Sequence, residues 1–227
     1  MIISEKPGQV YSIAQDNRPL PNAIITNMTF NEQGYSIAHY SLGTDTYIEP
    51  ERYSHPAIYI CITGKLQVEY KENDARKMAM LEPGGVFVRP AYVLCEFRSI
   101  QDCVYTEIGF PLDANFHQRL KEWDVFYLKN MLRYSEEGVS RIDLIEGDNL
   151  RLFLLAIQKG QTGEEVQSNG ETIVTVLEGY LHILYNGREE VLHEGESFLI
   201  EDGVMHSFQV SDRCRIACLS VFDSTAG

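Results

Sequence analysis

The chain lacks most of what would send it to a membrane, a nucleic acid or an oxidising compartment. No hydrophobic stretch approaches the roughly 20 residues that span a bilayer. The start, Met1 to Val10, has no basic-then-apolar layout of a signal peptide. Basic residues are scarce: 19 Lys and Arg stand against 33 Asp and Glu, a formal charge of −14. That balance argues against non-specific binding to nucleic acid or to anionic membrane, both of which need clustered Lys and Arg. A small anionic ligand needs only one local basic group and stays open. The five cysteines (Cys61, Cys95, Cys103, Cys214, Cys218) are an odd number scattered through apolar segments, so buried thiols in a reducing, cytoplasmic setting are expected. No Cys-x-x-Cys occurs; Cys214 and Cys218 share strand parity but lack two further zinc ligands. Phosphate loop, dinucleotide fingerprint, Ser-His-Asp order and zinc-protease motif are all missing.

What is present is ordinary globular composition, 44% hydrophobic and 23% charged over 227 residues, enough for one large domain or two small ones. The most informative stretch runs from Thr172 to Phe208. Ile173 to Leu177 is rich in β-branched residues and too short for a helix, so it reads as a buried strand. Glu178-Gly179 interrupts it and Tyr180 to Tyr185 resumes it. Asn186-Gly187 then signals a hairpin, because both turn residues must accept positive φ. Val191-Leu192, Ser197 to Ile200 and His206 to Val210 follow as short strands between Glu194-Gly-Glu196 and Glu201-Asp-Gly203 turns. Short strands separated by Gly turns predict a closed all-β unit.

This pattern resembles the cupin family, whose fold is a double-stranded β-helix barrel and whose motifs are Gly-x5-His-x-His-x3,4-Glu-x6-Gly and Gly-x5-Pro-x-Gly-x2-His. Aligned on Gly179, the resemblance puts Gly160 on the leading Gly, Val166 and Ser168 on the two His, and Thr172 on the Glu. Aligned on Gly195, Glu201 replaces the Pro, Gly203 matches, and His206 matches the final His. Three of the four metal-ligand positions thus hold residues that do not bind metal. The family spans dioxygenases, decarboxylases, isomerases and epimerases, storage proteins and ligand-sensing domains, so the resemblance speaks for fold and not for activity.

A second, earlier copy of the pattern is visible. Gly64 precedes Gly179 by 115 positions (179 − 64), Gly84 precedes Gly195 by 111 (195 − 84), and Phe87/Phe198 and Phe97/Phe208 also stand 111 apart. The longer charged hairpin around 71–77 absorbs the difference. Two copies of one barrel are expected, a bicupin. The fold class is therefore all-β, two double-stranded β-helix barrels in tandem with a short helical connector. The domains are 1–110 with an N-terminal arm, 111–138, and 139–227. The connector rests on Phe116, Leu120, Trp123, Tyr127 and Met131, which recur at helical spacing, with Pro111 and Asp113 at a plausible start.

Strand parity gives the interior residues. In the second barrel these are Val166, Ser168, Thr172, Val174, Val176, His206, Phe208 and Val210, with His206 the one strong base; Glu165 and Glu171 point outward. A divalent ion needs about three protein ligands, so the expectation is no metal or other cofactor unless a one-residue bulge turns Glu171 inward. Ligand-binding candidates are Ser168, Thr172, Val174, His206 and Phe208, with His206 a candidate acid/base. In the first barrel the motif positions fall on Glu51, Tyr53, Ala57 and Cys95. Glu51, Tyr53, Tyr59 and Cys95 are candidates to line a site for a small polar or aromatic ligand, or else to fill a barrel that lost its metal. Arg89 is expected at a barrel mouth.

The function expected is a small-molecule-binding bicupin taking a sugar or carboxylate near His206. Three alternatives stay open: a metal-independent isomerase or epimerase using His206, a metal-dependent oxygenase in a shifted register, and a structural or partner-binding protein with filled barrels. The expected partner is a small-molecule ligand, with no nucleic acid and no membrane. An open sheet edge could recruit a second copy into a homodimer.

Overall fold

The structure is a computed structural model and describes residues 5–32, 35–72, 75–163 and 165–222. In chain order the first copy contributes β1 (Val10–Tyr11), α1 (Ile13–Asp16), β2 (Ile24–Glu32), β3 (Tyr35–Leu42), β4 (Tyr47–Arg52), β5 (Ala57–Glu72), β6 (Ala75–Leu81), β7 (Gly85–Arg89) and β8 (Leu94–Gly109). The next segment holds β9 (Asn115–Phe116), β10 (Val125–Tyr127) and α2 (Leu128–Met131). The second copy follows as β11 (Val139–Glu146), β12 (Leu150–Ile157), β13 (Val166–Gln167), β14 (Glu171–Glu178), β15 (Tyr180–Tyr185), β16 (Arg188–His193), β17 (Ser197–Ile200), β18 (Met205–Gln209) and β19 (Cys214–Val221). The all-β reading holds, and no helix among the described residues is long and apolar enough to cross a membrane. The predicted tail at 223–227 and the tips of the turns at 33–34 and 73–74 lie outside the described residues.

The chain divides into two compact units. The N-terminal unit comprises Ile13–Asp113 and Gln118–Tyr127; the C-terminal unit comprises Met1–Ser12, Ala114–His117 and Leu128–Gly227. In the N-terminal unit all strands join one antiparallel sheet, β10-β7-β5-β8-β3-β2, with β4 on β8 and β6 on β5. In the C-terminal unit they form a seven-stranded sheet, β1-β17-β14-β19-β12-β11-β9, and a four-stranded one, β13-β18-β15-β16. The difference lies in continuity. β5 and β8 are 16 residues each and run through the register shifts around Thr63 and Lys65, where the second copy breaks into separate strands.

The repeat seen in the sequence is a repeat of contacts. Gly64 and Gly179 both have positive φ, 74° and 82°. A Cβ on Gly64 would lie 1.9 Å from Asp102 O, and one on Gly179 2.5 Å from Arg213 O, so backbone occupies the space a side chain would need. Gly84 N donates to Cys61 O at 2.8 Å and Gly195 N to Val176 O at 2.9 Å. Asn186 and Gly187 take φ of 48° and 75°, as a two-residue hairpin requires.

The connector is not a helix, contrary to its spacing. One turn, Leu128–Met131, is helical; β9 pairs with β11 and β10 with β7, and Trp123 has φ 71°, which a helix cannot hold. Ladder pairing with existing strands outweighs a 3–4 spacing that is compatible with either state. The segment is instead the second copy of the arm. β10 and α2 begin 115 positions after β1 and α1 (125 − 10 and 128 − 13). Trp123 stands where the first copy has Gly8 (123 − 8), also at positive φ, 67°. Gly8 N donates to Leu199 O at 3.0 Å, and Trp123 N to Val88 O at 3.3 Å. The two arms are exchanged: β1 precedes the first copy but pairs with β17 of the C-terminal unit, while β10 precedes the second copy but pairs with β7 of the N-terminal unit.

Candidate functional site

The interiors of the two units differ in kind. In the C-terminal unit the core is Val174, Val176, Leu181, Ile183, Phe198, Ile200, Val210 and Ile216 with Cys214 and Cys218 and a Tyr185 edge. Of the residues proposed there from the sequence, Val174 is fully buried in that core and Phe208 packs half-buried against it. Ser168 is buried and donates to Gly170 O at 2.6 Å; Thr172 shares a 2.8 Å bond with Ser220. His206 is half-buried, its Nδ1 3.3 Å from Val204 O and its ring 5.5 Å from that of Phe208. The two hydroxyls are engaged away from the imidazole. Val166, expected inside, is 51% exposed because β13 is a two-residue edge strand. Glu171 has the expected outward parity but is buried.

The N-terminal interior is polar and aromatic. Arg89, expected at a mouth, is fully buried at the end of β7. Its Nε donates to Tyr59 Oη at 2.8 Å and its Nη1 to Pro90 O at 3.3 Å, while Nη2 is buried with no hydrogen-bond partner. The guanidinium carbon lies 4.6 Å above the Tyr53 ring and 5.8 Å from that of Tyr59, contacts that favour a cation. Glu107, on the neighbouring β8, is buried, stands opposite Tyr59 in the ladder and has the Tyr40 and Tyr59 hydroxyls beside its carboxyl. Tyr59 Oη thus accepts from Arg89 on one side and lies near Glu107 on the other, a cluster of guanidinium, phenol and carboxyl. Tyr40 stacks on Tyr105 with centroids 4.8 Å apart, and Tyr59 leans on Phe97 at 4.6 Å. Nearer the surface, half-buried Tyr53 donates to exposed Glu51.

Burial sets the electrostatics. It raises the Glu107 carboxyl above the usual range, opposed by Arg89 and by the Tyr40 and Tyr59 hydroxyls. Burial likewise raises the phenols of Tyr59 and Tyr40, with Glu107 adding to it, and that of Tyr53, where the bond to Glu51 adds to it. The Cys95 thiol is pushed up to about 11 by burial, with Arg89 opposing. His55, ring to ring with Tyr53 at 5.8 Å, is lowered by burial and then by Arg89.

The sequence candidates Glu51, Tyr53, Tyr59 and Cys95 therefore gather around Arg89, while Arg89, Glu107, Tyr40 and Tyr105 were missed as site residues. A signal existed: Glu107 is a lone charge inside the apolar run Val104 to Phe110, and Arg89 ends the apolar run Gly85 to Val88. Among the described residues, no three His, Cys, Asp or Glu side chains come together as metal ligands would.

Residues 153–222 match the Cupin domain family. That segment carries a cupin domain, and the chain as a whole has the cupin fold. Over the whole length the chain is similar to the Cupin 2 conserved barrel domain protein from Leptotrichia buccalis, with a TM-score of 0.84 at 17% identity, covering 97% of this chain and 100% of that one. It is similar also to the salicylate 1,2-dioxygenase from Pseudaminobacter salicylatoxidans, with a TM-score of 0.61 at 13% identity, covering 83% and 71%. At such identities these likenesses concern fold alone. A curated relative, the HTH-type transcriptional regulator PuuR of Escherichia coli (strain K12), is 32% identical over 93 residues, 38% of this chain and 50% of that protein. The chain spans about half the length of the curated relatives it matches.

Proposed function

We propose that this protein binds a small organic molecule inside its N-terminal unit, at the cluster of Arg89, Tyr59 and Glu107. The observation that carries the reading is Nη2 of Arg89, a donor on an always-charged group, fully buried and unmatched. An unsatisfied charged donor costs several kcal/mol, roughly, unless something supplies an acceptor. Filled barrels would leave that cost in place; a bound ligand removes it. Among the described residues, the C-terminal interior, where the sequence motif points to His206, offers no comparable charged group.

A divalent cation does not suit either interior. Around Arg89 a fixed positive charge opposes it, Cys95 is held as the neutral thiol, and Glu51 is tied to Tyr53. Around His206 the other motif positions are Val166, Ser168 and Thr172. The loss of the family's metal ligands belongs to this reading, and elemental analysis finding stoichiometric iron, manganese, nickel or zinc would overturn it.

The test of ligand binding is a thermal-shift screen of sugars and organic acids on the wild type and on Arg89→Met. Binding to the folded state alone stabilises it by about 2.7 kcal/mol at a hundredfold excess over Kd. At least one compound should raise Tm in the wild type and fail to do so in the variant. No shift anywhere in a broad screen returns the N-terminal unit to a packed structural element.

A further inference from the structure

Resting on the N-terminal interior as the binding site, we infer that the ligand is a small organic monocarboxylate that seats on Arg89 Nη2, and that Glu107 takes up a proton as it enters. The polar groups of this interior are nearly all committed. Tyr53 is bound to Glu51, Arg89 Nε and Nη1 are bound to Tyr59 and Pro90, and the Tyr40 and Tyr59 hydroxyls lie beside Glu107. What is left is one cationic donor among the rings of Tyr53, Phe97, Tyr105 and Tyr40. A polyol needs several donors and acceptors in alternation and would leave its hydroxyls unmatched here. A single carboxylate on an apolar or aromatic body meets both features, a charge-assisted bond at one end and ring faces along the rest.

The proton follows from counting charges. Before binding, the positive charge of Arg89 faces one buried carboxyl, Glu107, across the Tyr59 hydroxyl. The groups around Glu107 are Tyr40 on β3, Glu51 on β4, Tyr53 just beyond it, Tyr59 on β5, Arg89 on β7 and Tyr105 on its own β8. Arg89 is the one cation among them. A second carboxylate arriving at Nη2 would leave two anions and Glu51 around one guanidinium at low dielectric, and like charges so placed do not both stay ionised. Glu107 is the one already biased toward its neutral form by burial. A proton from solvent on a Glu107 oxygen restores the balance: one guanidinium, one bound anion, one neutral acid.

The test uses the full chain and isothermal titration of acetate, propanoate, benzoate and phenylacetate, each beside its amide, between pH 5 and 9. At least one acid should bind at least tenfold more tightly than its amide. Its Kd should rise about tenfold per pH unit over part of that range, with a heat that differs between phosphate and Tris buffers by up to one proton taken up. Glu107→Gln, which fixes the neutral form, should keep the acid bound with a Kd flat across pH and with equal heats in both buffers. An amide that binds as well as its acid overturns the carboxylate while leaving the binding site standing. A flat wild-type profile, or a pH slope that survives in Glu107→Gln, overturns the proton uptake. If none of the eight compounds binds, the carboxylate falls, whatever the wider screen finds.

Discussion

Where the N-terminal unit carries Tyr40, Tyr59, Arg89 and Glu107, the C-terminal unit carries Leu155, Val174, Ile200 and Cys218 at the same strand positions, offset by 115 for the first two and 111 for the last two. The ladders agree: Tyr59 stands opposite Glu107 as Val174 stands opposite Cys218, and Arg89 opposite Ala57 as Ile200 opposite Thr172. The exchange extends to the outer face, where His39 bonds Thr106 at 2.9 Å and the second copy has Leu154 opposite Ala217. One scaffold thus supports a polar interior and an apolar one. The apolar unit shows that the scaffold needs none of these charged groups to fold, so their presence in the other asks for a reason beyond packing.

The hardest way to break the comparison is to force the polar side onto the apolar one. Ile200→Arg buries a guanidinium with no Tyr59 or Glu107 to meet it. It should destabilise the C-terminal unit by about 3–5 kcal/mol, read as a lower denaturation midpoint. A small loss would mean that this interior is wetter than its residues imply. The reverse exchange comes next. Arg89→Ile alone strands Glu107 and should cost about 3 kcal/mol, whereas Arg89→Ile with Glu107→Cys copies the other unit and should return to within about 1 kcal/mol of wild type or better. A double-mutant cycle measures this coupling.

Acid separates the units as well. Burial holds His39 down at about 4 against the ordinary 6.5. The stability it supports is present above pH 6.5 and lost as pH falls toward 4, about 3 kcal/mol in all at about 1.4 kcal/mol per unit. His39→Leu with Thr106→Ala, the pair found in the other unit, should abolish that loss. Glu107 acts with the opposite sign: its raised carboxyl supports stability below the usual glutamate range, lost as pH rises through the raised value. Glu107→Gln should flatten that arm of a pH–Tm profile. The smallest effect is expected at His206→Ala, under about 1 kcal/mol, with ligand binding unchanged; lost binding would move the site to the C-terminal unit.

Much of this was legible in the residues. Gly64 and Gly179, Gly84 and Gly195, and the Asn186-Gly187 turn declare themselves because left-handed backbone and close approach leave few alternatives. The inward parity of Tyr59 and Cys95 followed from their alternation with neighbouring strand positions. The arm around Trp123 did not, because short edge strands draw their stability from the strand they join and carry no pattern of their own. Arg89 was obscured by the Pro90 beside it, which reads as a chain break, and Glu107 lies off the family's motif positions altogether. Reading the two copies against each other for charge, and not only for glycine and phenylalanine, would have exposed both.

The exchanged arms have a consequence for how the chain is made and cut. β1 leaves the ribosome before any other strand of the unit it closes and must wait for β17, which is translated nearly 190 residues later (197 − 10). A clone cut between the two copies would hand each half the other's edge strand, so the halves are expected to be soluble together and sticky apart.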